Sequence, residues 1–121
     1  MVIRGRLAAL ALAGSLALPA FAEAPGRVVS INLCTDQLAM MLAAPGQLVS
    51  VTYLAQDPRA SVMAAEARAY PVNHGLAEEV YLLRPDLVLA GRFTAQATVA
   101  MLQRLGIAVV IFDPAYSLQD V

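Results

Sequence analysis

The chain has 121 residues, enough for a single domain, with 60% hydrophobic residues, one cysteine and one histidine. A formal net charge of −1 does not suit a partner as acidic as nucleic acid or an anionic membrane surface. A lone cysteine excludes an internal disulfide.

The first residues read as an export signal. Arg4 and Arg6 form a basic start, Leu7 to Leu18 is an apolar segment, and Ala20-Phe21-Ala22 supplies small residues for a signal peptidase. The apolar segment is too short to span a bilayer. Cleavage is expected after Ala22, or after Ala24 as second choice, so residues 1–22 are expected to be a signal peptide. The remainder carries six arginines against nine acids, a net charge of −3.

From Arg27 the chain alternates. Arg27 to Ile31 predicts a first strand with Asn32-Leu33-Cys34 as its exit loop. Thr35 is the expected cap of a helix whose inner face carries Leu38, Met41 and Leu42. Pro45-Gly46 ends it, and Leu48 to Tyr53 predicts a second strand rich in β-branched residues. Ala55 to Val72 is less regular, with a turn at Asp57-Pro58 and a short helix from a Ser61 cap to Arg68.

His74 to Phe93 is the most complete stretch. His74-Gly75 is a loop, and Glu78 and Glu79 fall in the first turn of a helix, where acids complement the positive end of the dipole. Val80 and Leu83 share a face, Arg84 falls in the last turn, and Pro85 stops the helix. Leu87 to Ala90 is a continuous apolar run, as in a strand covered on both faces. Gly91-Arg92-Phe93 leaves its carboxyl end. Thr94 is the expected cap of a helix with Val99, Leu102 and Leu105 inside and Gly106 just past its end. Ile107 to Phe112 predicts another buried strand. Ser117-Leu118-Gln119-Asp120 then opens like a capped helix, so a longer helix is expected to follow and the chain to be a fragment. This alternation predicts an α/β fold, a parallel sheet with right-handed crossovers and helices on both faces, in three layers.

No G-x-G-x-x-G, G-x-x-x-x-G-K-[ST], G-x-S-x-G or H-E-x-x-H motif is present. Cys34 and His74, with Asp36 orienting the ring, are the residues a small thiol or hydrolase-type enzyme would use. As a metal site the same pair lacks the usual ligand spacing. What remains is a set of side chains at strand exits: Asn32, Cys34, Tyr53, His74, Arg92 and Phe93. Aromatic bodies with a few polar groups suit a bulky, partly apolar ligand, and Arg92 suits a carboxylate or phosphate. Each has an ordinary alternative: Phe93 as core, Tyr53 as snorkelling surface, Arg92 as a solvated charge.

Three segments carry a family resemblance. Arg27-Val-Val-Ser-Ile-Asn-Leu-Cys-Thr-Asp36, Leu76-Ala-Glu-Glu-Val-Tyr-Leu-Leu-Arg-Pro-Asp-Leu-Val-Leu-Ala90 and Leu105-Gly-Ile-Ala-Val-Val110 resemble blocks of the periplasmic substrate-binding proteins of ABC importers for cobalamin, ferric siderophores and haem. The resemblance implies a non-enzymatic, two-lobed protein with no resident cofactor, in which one long helix joins the lobes and the ligand sits between them. Residues 23–121 would be the amino-terminal lobe, cut at the start of that helix, periplasmic and monomeric. By position, ligand contacts fall on Asn32, Tyr53, the Asn73-His74-Gly75 turn and Arg92-Phe93. The docking glutamate for the membrane permease falls on Glu78. Leu76 stands where the family usually has Asn, which leaves the cap of that helix open. His74 or Tyr53 is suited to ligate haem iron.

Overall fold

The computed structural model describes residues 23–120. The expected signal peptide lies outside the described residues. Five strands form one sheet: β1 (Val28–Ser30), β2 (Leu48–Thr52), β3 (Val72–Asn73), β4 (Leu87–Gly91) and β5 (Ala108–Phe112). Their order across the sheet is β3-β2-β1-β4-β5, and every neighbouring pair is parallel. The order reverses direction between β1 and β4, which makes this a doubly wound sheet with its switch point there.

The helices are α1 (Leu33–Leu42), α2 (Ala64–Ala67), α3 (Ala77–Leu82) and α4 (Gln96–Arg104). They divide between the two faces, as the alternation predicts. On one face Val80 of α3 and Val99 and Leu102 of α4 pack on Val29, Val88 and Ala90. On the other, Ala39 of α1 and Ala67 of α2 pack on Val28, Leu48 and Val51. The central strands are buried along nearly their whole length, and the alternation of side-chain direction sends successive residues of β1 and β4 to opposite cores. Among the described residues no helix is long and apolar enough to cross a membrane.

Several helix ends differ from the sequence expectation. Asn32, not Thr35, caps α1: its side-chain oxygen accepts from the Cys34 amide at 3.0 Å. Thr35 is buried inside the helix and donates to the Asn32 carbonyl at 2.9 Å. The buried face of α1 is Thr35, Asp36 and Ala39, while Leu38, Met41 and Leu42 point outward. Ser61 accepts from the Met63 amide at 3.2 Å, and α2 shrinks to the four residues from Ala64 to Ala67.

The helix α3 starts without a side-chain cap at Leu76, which a leucine cannot supply. Arg84 lies outside α3, in the left-handed region at φ 50°. The cation over the last carbonyls is instead Arg27, whose Nη2 donates to Leu83 O at 2.7 Å and whose Nε donates to Arg84 O at 3.2 Å. Asp86 completes that junction by accepting from the Gly26 and Arg27 amides at 3.0 and 2.9 Å.

Thr94 does not cap α4. Its hydroxyl accepts from the Gly91 amide at 3.0 Å, and α4 begins after Ala95 with no side-chain cap. Val99 and Leu102 are buried as expected, but Leu105 is half exposed at the helix end. Gly106 follows at φ 80°, the left-handed C′ position that favours glycine. The strand β5 is not buried: Val110, Ile111 and Phe112 are 43–45% exposed. It lies at the sheet edge, and on the face that Val110 and Phe112 share with Leu87 and Leu89 of β4 the α1 core reaches β4 but leaves the β5 residues exposed. At the end of the described chain Leu118–Asp120 makes one 3₁₀ turn, held by Asp120 accepting from the Tyr116 and Ser117 amides.

Candidate functional site

The strands β1 to β4 end on the same side of the molecule, because all are parallel. The loops leaving them enclose a hollow of about 300 Å³ lined by Asn32 and Leu33 after β1, Tyr53 after β2, His74 and Gly75 after β3, and Phe93 to Ala95 after β4. This is where the carboxyl ends of an open α/β sheet hold ligands.

The hollow rests on a buried polar network that ties β1, β2 and β3 together. Asn73 is 1% exposed, and its Nδ2 donates to the Ser30 carbonyl, the Ser50 hydroxyl and the Val51 carbonyl at 2.9–3.0 Å. Its Oδ1 accepts from the Gly75 amide at 3.0 Å. The Asn73 side chain is therefore spent on shaping the turn beneath His74, and it does not line the hollow.

Asp36 is fully buried on α1. It accepts from the Thr52 amide at 3.1 Å and the Thr52 hydroxyl at 2.5 Å, one residue before Tyr53. Burial raises its pKa above the ordinary carboxylate value, against the opposing hydrogen bonds from Ser30 and Thr52. Every buried side-chain polar atom among the described residues has a partner.

Three aromatic rings stand at the rim. Tyr53, 51% exposed, stacks on His74 with ring centroids 5.1 Å apart and planes 25° from parallel. Phe93 is 79% exposed, so it is no part of the core. Asn32 lines the hollow through the same residue that caps α1, and it packs closely on Gly91 at the switch point: a Cβ there would lie 2.5 Å from Asn32 Nδ2. Arg92 stands outside the hollow's lining, and its Nη1 is paired with Asp113 at 2.6 Å in an exposed ion pair.

The arrangement expected of a thiol enzyme is not assembled. The partner of His74 Nδ1 is Glu79 at 2.9 Å, not Asp36, whose carboxylate is enclosed beneath Thr52. Cys34 is exposed at the start of α1, and no hydrogen bond joins it to His74. It is therefore also no buried apolar filler. Among the described residues no group of three or more His, Cys, Asp or Glu is placed to hold a metal ion.

Glu78 is exposed on the outer side of α3, where it borders an apolar groove of about 260 Å³ with Tyr81, Leu82, Met101 and Leu105. On the opposite face, a second apolar groove of about 240 Å³ runs between α1 and the uncovered strands, lined by Leu38, Leu42, Leu87, Leu89 and Phe112. Its lining offers few polar groups to orient a small ligand, so the strand-end hollow is the better-equipped site.

Glu79 is the member of the site that sequence reasoning missed. It was visible only as a dipole-complementing acid, and the signal that could have found it is its spacing of five residues from His74 across a glycine loop.

No protein-family model matches this sequence, and no curated protein matches it. Solved structures do. A periplasmic haem-binding protein from Pseudomonas aeruginosa is similar over 80% of this chain and 34% of its own, at 23% identity and a TM-score of 0.59. The periplasmic haem-binding protein HutB of Vibrio cholerae matches 78% of this chain and 36% of its own, at 22% identity and 0.59. The periplasmic vitamin B12-binding protein BtuF of Vibrio cholerae matches 80% and 37%, at 25% identity and 0.56. The chain spans about a third of the length of the solved structures it matches. With its parallel α/β sheet and strand-end hollow, it has the fold of part of a class III periplasmic binding protein.

Proposed function

We propose that this chain is the amino-terminal lobe of a two-lobed substrate-binding protein of an ABC importer, exported to the periplasm, where it presents one wall of a cleft to a metal chelate of cobalamin or ferric-siderophore type, or to haem. The observation that carries this reading is the gathering of Tyr53, His74 and Phe93 around one hollow at the strand ends. Broad aromatic surfaces beside a few polar atoms match a ligand that is large, flat and only partly polar. The shared fold with haem- and B12-binding proteins supports the same assignment.

In this reading Tyr53, His74 and Phe93 touch the ligand, and Asn32 meets it at the switch point. Asn73 sets the turn that carries His74. Arg92 reaches the ligand only by leaving Asp113, an exposed pair whose rupture costs little. Glu78 serves as a rim charge that orients the lobe on the membrane permease, an effect expected mainly in association rate. Residues 1–22 are the cleaved signal, and residues from Ser117 onward begin the helix toward a second lobe. The uncovered groove beside β5 is then a surface for the rest of the longer protein.

One wall of a cleft holds a ligand weakly. Titration of the chain with cyanocobalamin, hemin and a ferric hydroxamate, followed by amide NMR, is expected to shift resonances near positions 53, 74 and 93 with affinity weaker than micromolar. Shifts scattered over the surface, or confined to the groove beside β5, would overturn the reading.

A further inference from the structure

Thr52 stands where β2 ends and the 3₁₀ turn Tyr53–Gln56 begins, and its side chain has two competing uses. A threonine at the start of a helical turn ordinarily accepts from the amides just after it. Here the turn has no side-chain cap, because the Thr52 hydroxyl donates to Asp36 Oδ2 at 2.5 Å. The same carboxylate holds the Thr52 amide, 3.1 Å from Oδ1 and 3.2 Å from Oδ2. The far end of the turn is pinned separately: Ala55 is fully buried, and Gln56 Nε2 donates to the Ala67 and Tyr70 carbonyls at 3.1 Å. Tyr53 lies between these anchors and is half exposed, so the backbone beneath it places its ring on His74.

Asp36 does this work with no cation among its hydrogen-bond partners. The elements packed most closely on α1 are β1, β2, β4 and the turn, and the one titratable side chain they carry is Tyr53; α1 itself adds Cys34. Burial raises the Asp36 pKa above 3.8. Hydrogen bonds to a carboxylate are roughly twice as strong as those between neutral groups. A proton added to Asp36 therefore weakens its hold on Thr52 and turns one of its acceptor oxygens into a donor. The Thr52 hydroxyl is then free to return to the cap of its own turn.

We propose that Asp36 is a positioning residue for the aromatic wall of the hollow, an acid-sensitive latch that keeps Thr52 off the cap of the turn and so holds Tyr53 in its stack on His74. The latch deepens the binding reading above, on which its importance for ligand capture rests, but it is a property of the unliganded chain. Its release takes up one proton on the carboxylate and breaks no covalent bond. A protonated Asp36 favours the folded chain, so the release is not the onset of acid unfolding.

The test reads the stack directly, without a ligand. The ring current of Tyr53 shifts the ring protons of His74 in the NMR spectrum. The quantity measured is the difference between those shifts in the parent chain and in Tyr53→Leu at the same pH, which subtracts the titration of His74 and of its partner Glu79. It is expected to be large at neutral pH and to collapse on acidification with a midpoint above 3.8. Asp36→Asn, a neutral isostere, is expected to show at every pH the small difference that the parent shows only in acid. Thr52→Val, which keeps the shape and loses the hydroxyl, is expected to weaken the stack at neutral pH. Thr52→Ser keeps the hydroxyl and is expected to restore both the stack and its acid response.

A difference that does not change with pH, or an acid response that survives in Asp36→Asn, overturns the proposal. So does an undiminished stack in Thr52→Val, a variant that tests the latch even if Asp36→Asn does not fold. None of these outcomes touches the ligand titration described above, which reads binding and not the stack of the free chain, so the latch and the binding reading fail separately.

Discussion

The two halves of the sheet are built on different principles. Where β1, β2 and β3 meet, the strand ends are joined by side-chain hydrogen bonds through Ser30, Asp36, Thr52 and Asn73, all buried and all satisfied. The β4–β5 half is held by backbone pairing and by apolar packing, chiefly through Val88, Ala90, Val99 and Leu102 on one face, with Leu87 and Leu89 of β4 alone reaching the other core. Directional bonds suit the half that must aim Tyr53 and His74, because a misplaced polar partner in a buried site is costly. Non-directional apolar contact suits the other half, whose second face is left bare at β5.

The largest effect that separates the halves is expected from truncating their shared apolar core. Leu102→Ala, at a fully buried position, should lower unfolding free energy by about 2–5 kcal/mol in urea titration. An effect below about 1 kcal/mol would mean that α4 is only loosely docked.

Next comes the polar half. Asn73→Ala strips the Ser30 and Val51 carbonyls of a donor and the Gly75 amide of its acceptor. It should cost about 1–3 kcal/mol and broaden the amide resonances of His74. Asp36 should show a pH signature of the opposite sign to a surface ion pair. Its folded pKa is raised, so the native state binds more protons than the unfolded chain as pH climbs above 3.8, and stability falls through that window. Asp36→Asn removes the titration, and its stability minus that of the parent should grow as pH rises from about 4 toward 7. A difference flat in pH would show that the Thr52 bonds offset the burial of the charge.

A smaller effect is expected where the halves meet. Gly91→Ala places a methyl group against the Asn32 side chain and dislodges the cap of α1. The loss should be about 0.5–2 kcal/mol, the usual worth of a cap, and thermal denaturation would read it. The smallest belongs to the bare face. Val110→Thr, at a position 43% exposed, should change stability by no more than about 0.5 kcal/mol. A larger loss would mean that something covers β5 in solution.

The sequence was most informative where a signal is local and repeated. The apolar runs of β1, β2, β4 and β5 each proved to be a strand within a residue or two of its expected ends. The two-residue strand β3 was missed because Val72-Asn73 is too short to show an alternation. Cap assignments erred for a common reason. Thr35 and Thr94 both have the right side chain, but a cap is decided by which backbone amides remain unpaired, and Asn32 and Gly91 answered that question differently. Leu38, Leu42 and Phe112 have the periodicity of a core, yet they line an open groove, since hydrophobic pattern reports a face that is fit for covering and not whether a cover is there.

The site divides in the same way. Tyr53, His74 and Phe93 stand at strand exits, and a parallel sheet necessarily brings such exits to one edge. The roles of Asn73, Arg92 and Glu79 were not legible, because each depends on a partner brought near by folding: Ser30 for Asn73, Asp113 for Arg92, His74 for Glu79.

By itself, then, the order of residues determined the α/β alternation, the direction of the strands and the edge on which the loops collect, since periodicity and chain connectivity act over a few residues at a time. Only the tertiary structure decided which polar groups are spent on the frame and which are left free to meet a ligand. That depends on distances between residues far apart in the chain, and a hydrogen bond or a stacked ring exists only when folding has closed those distances to a few ångströms.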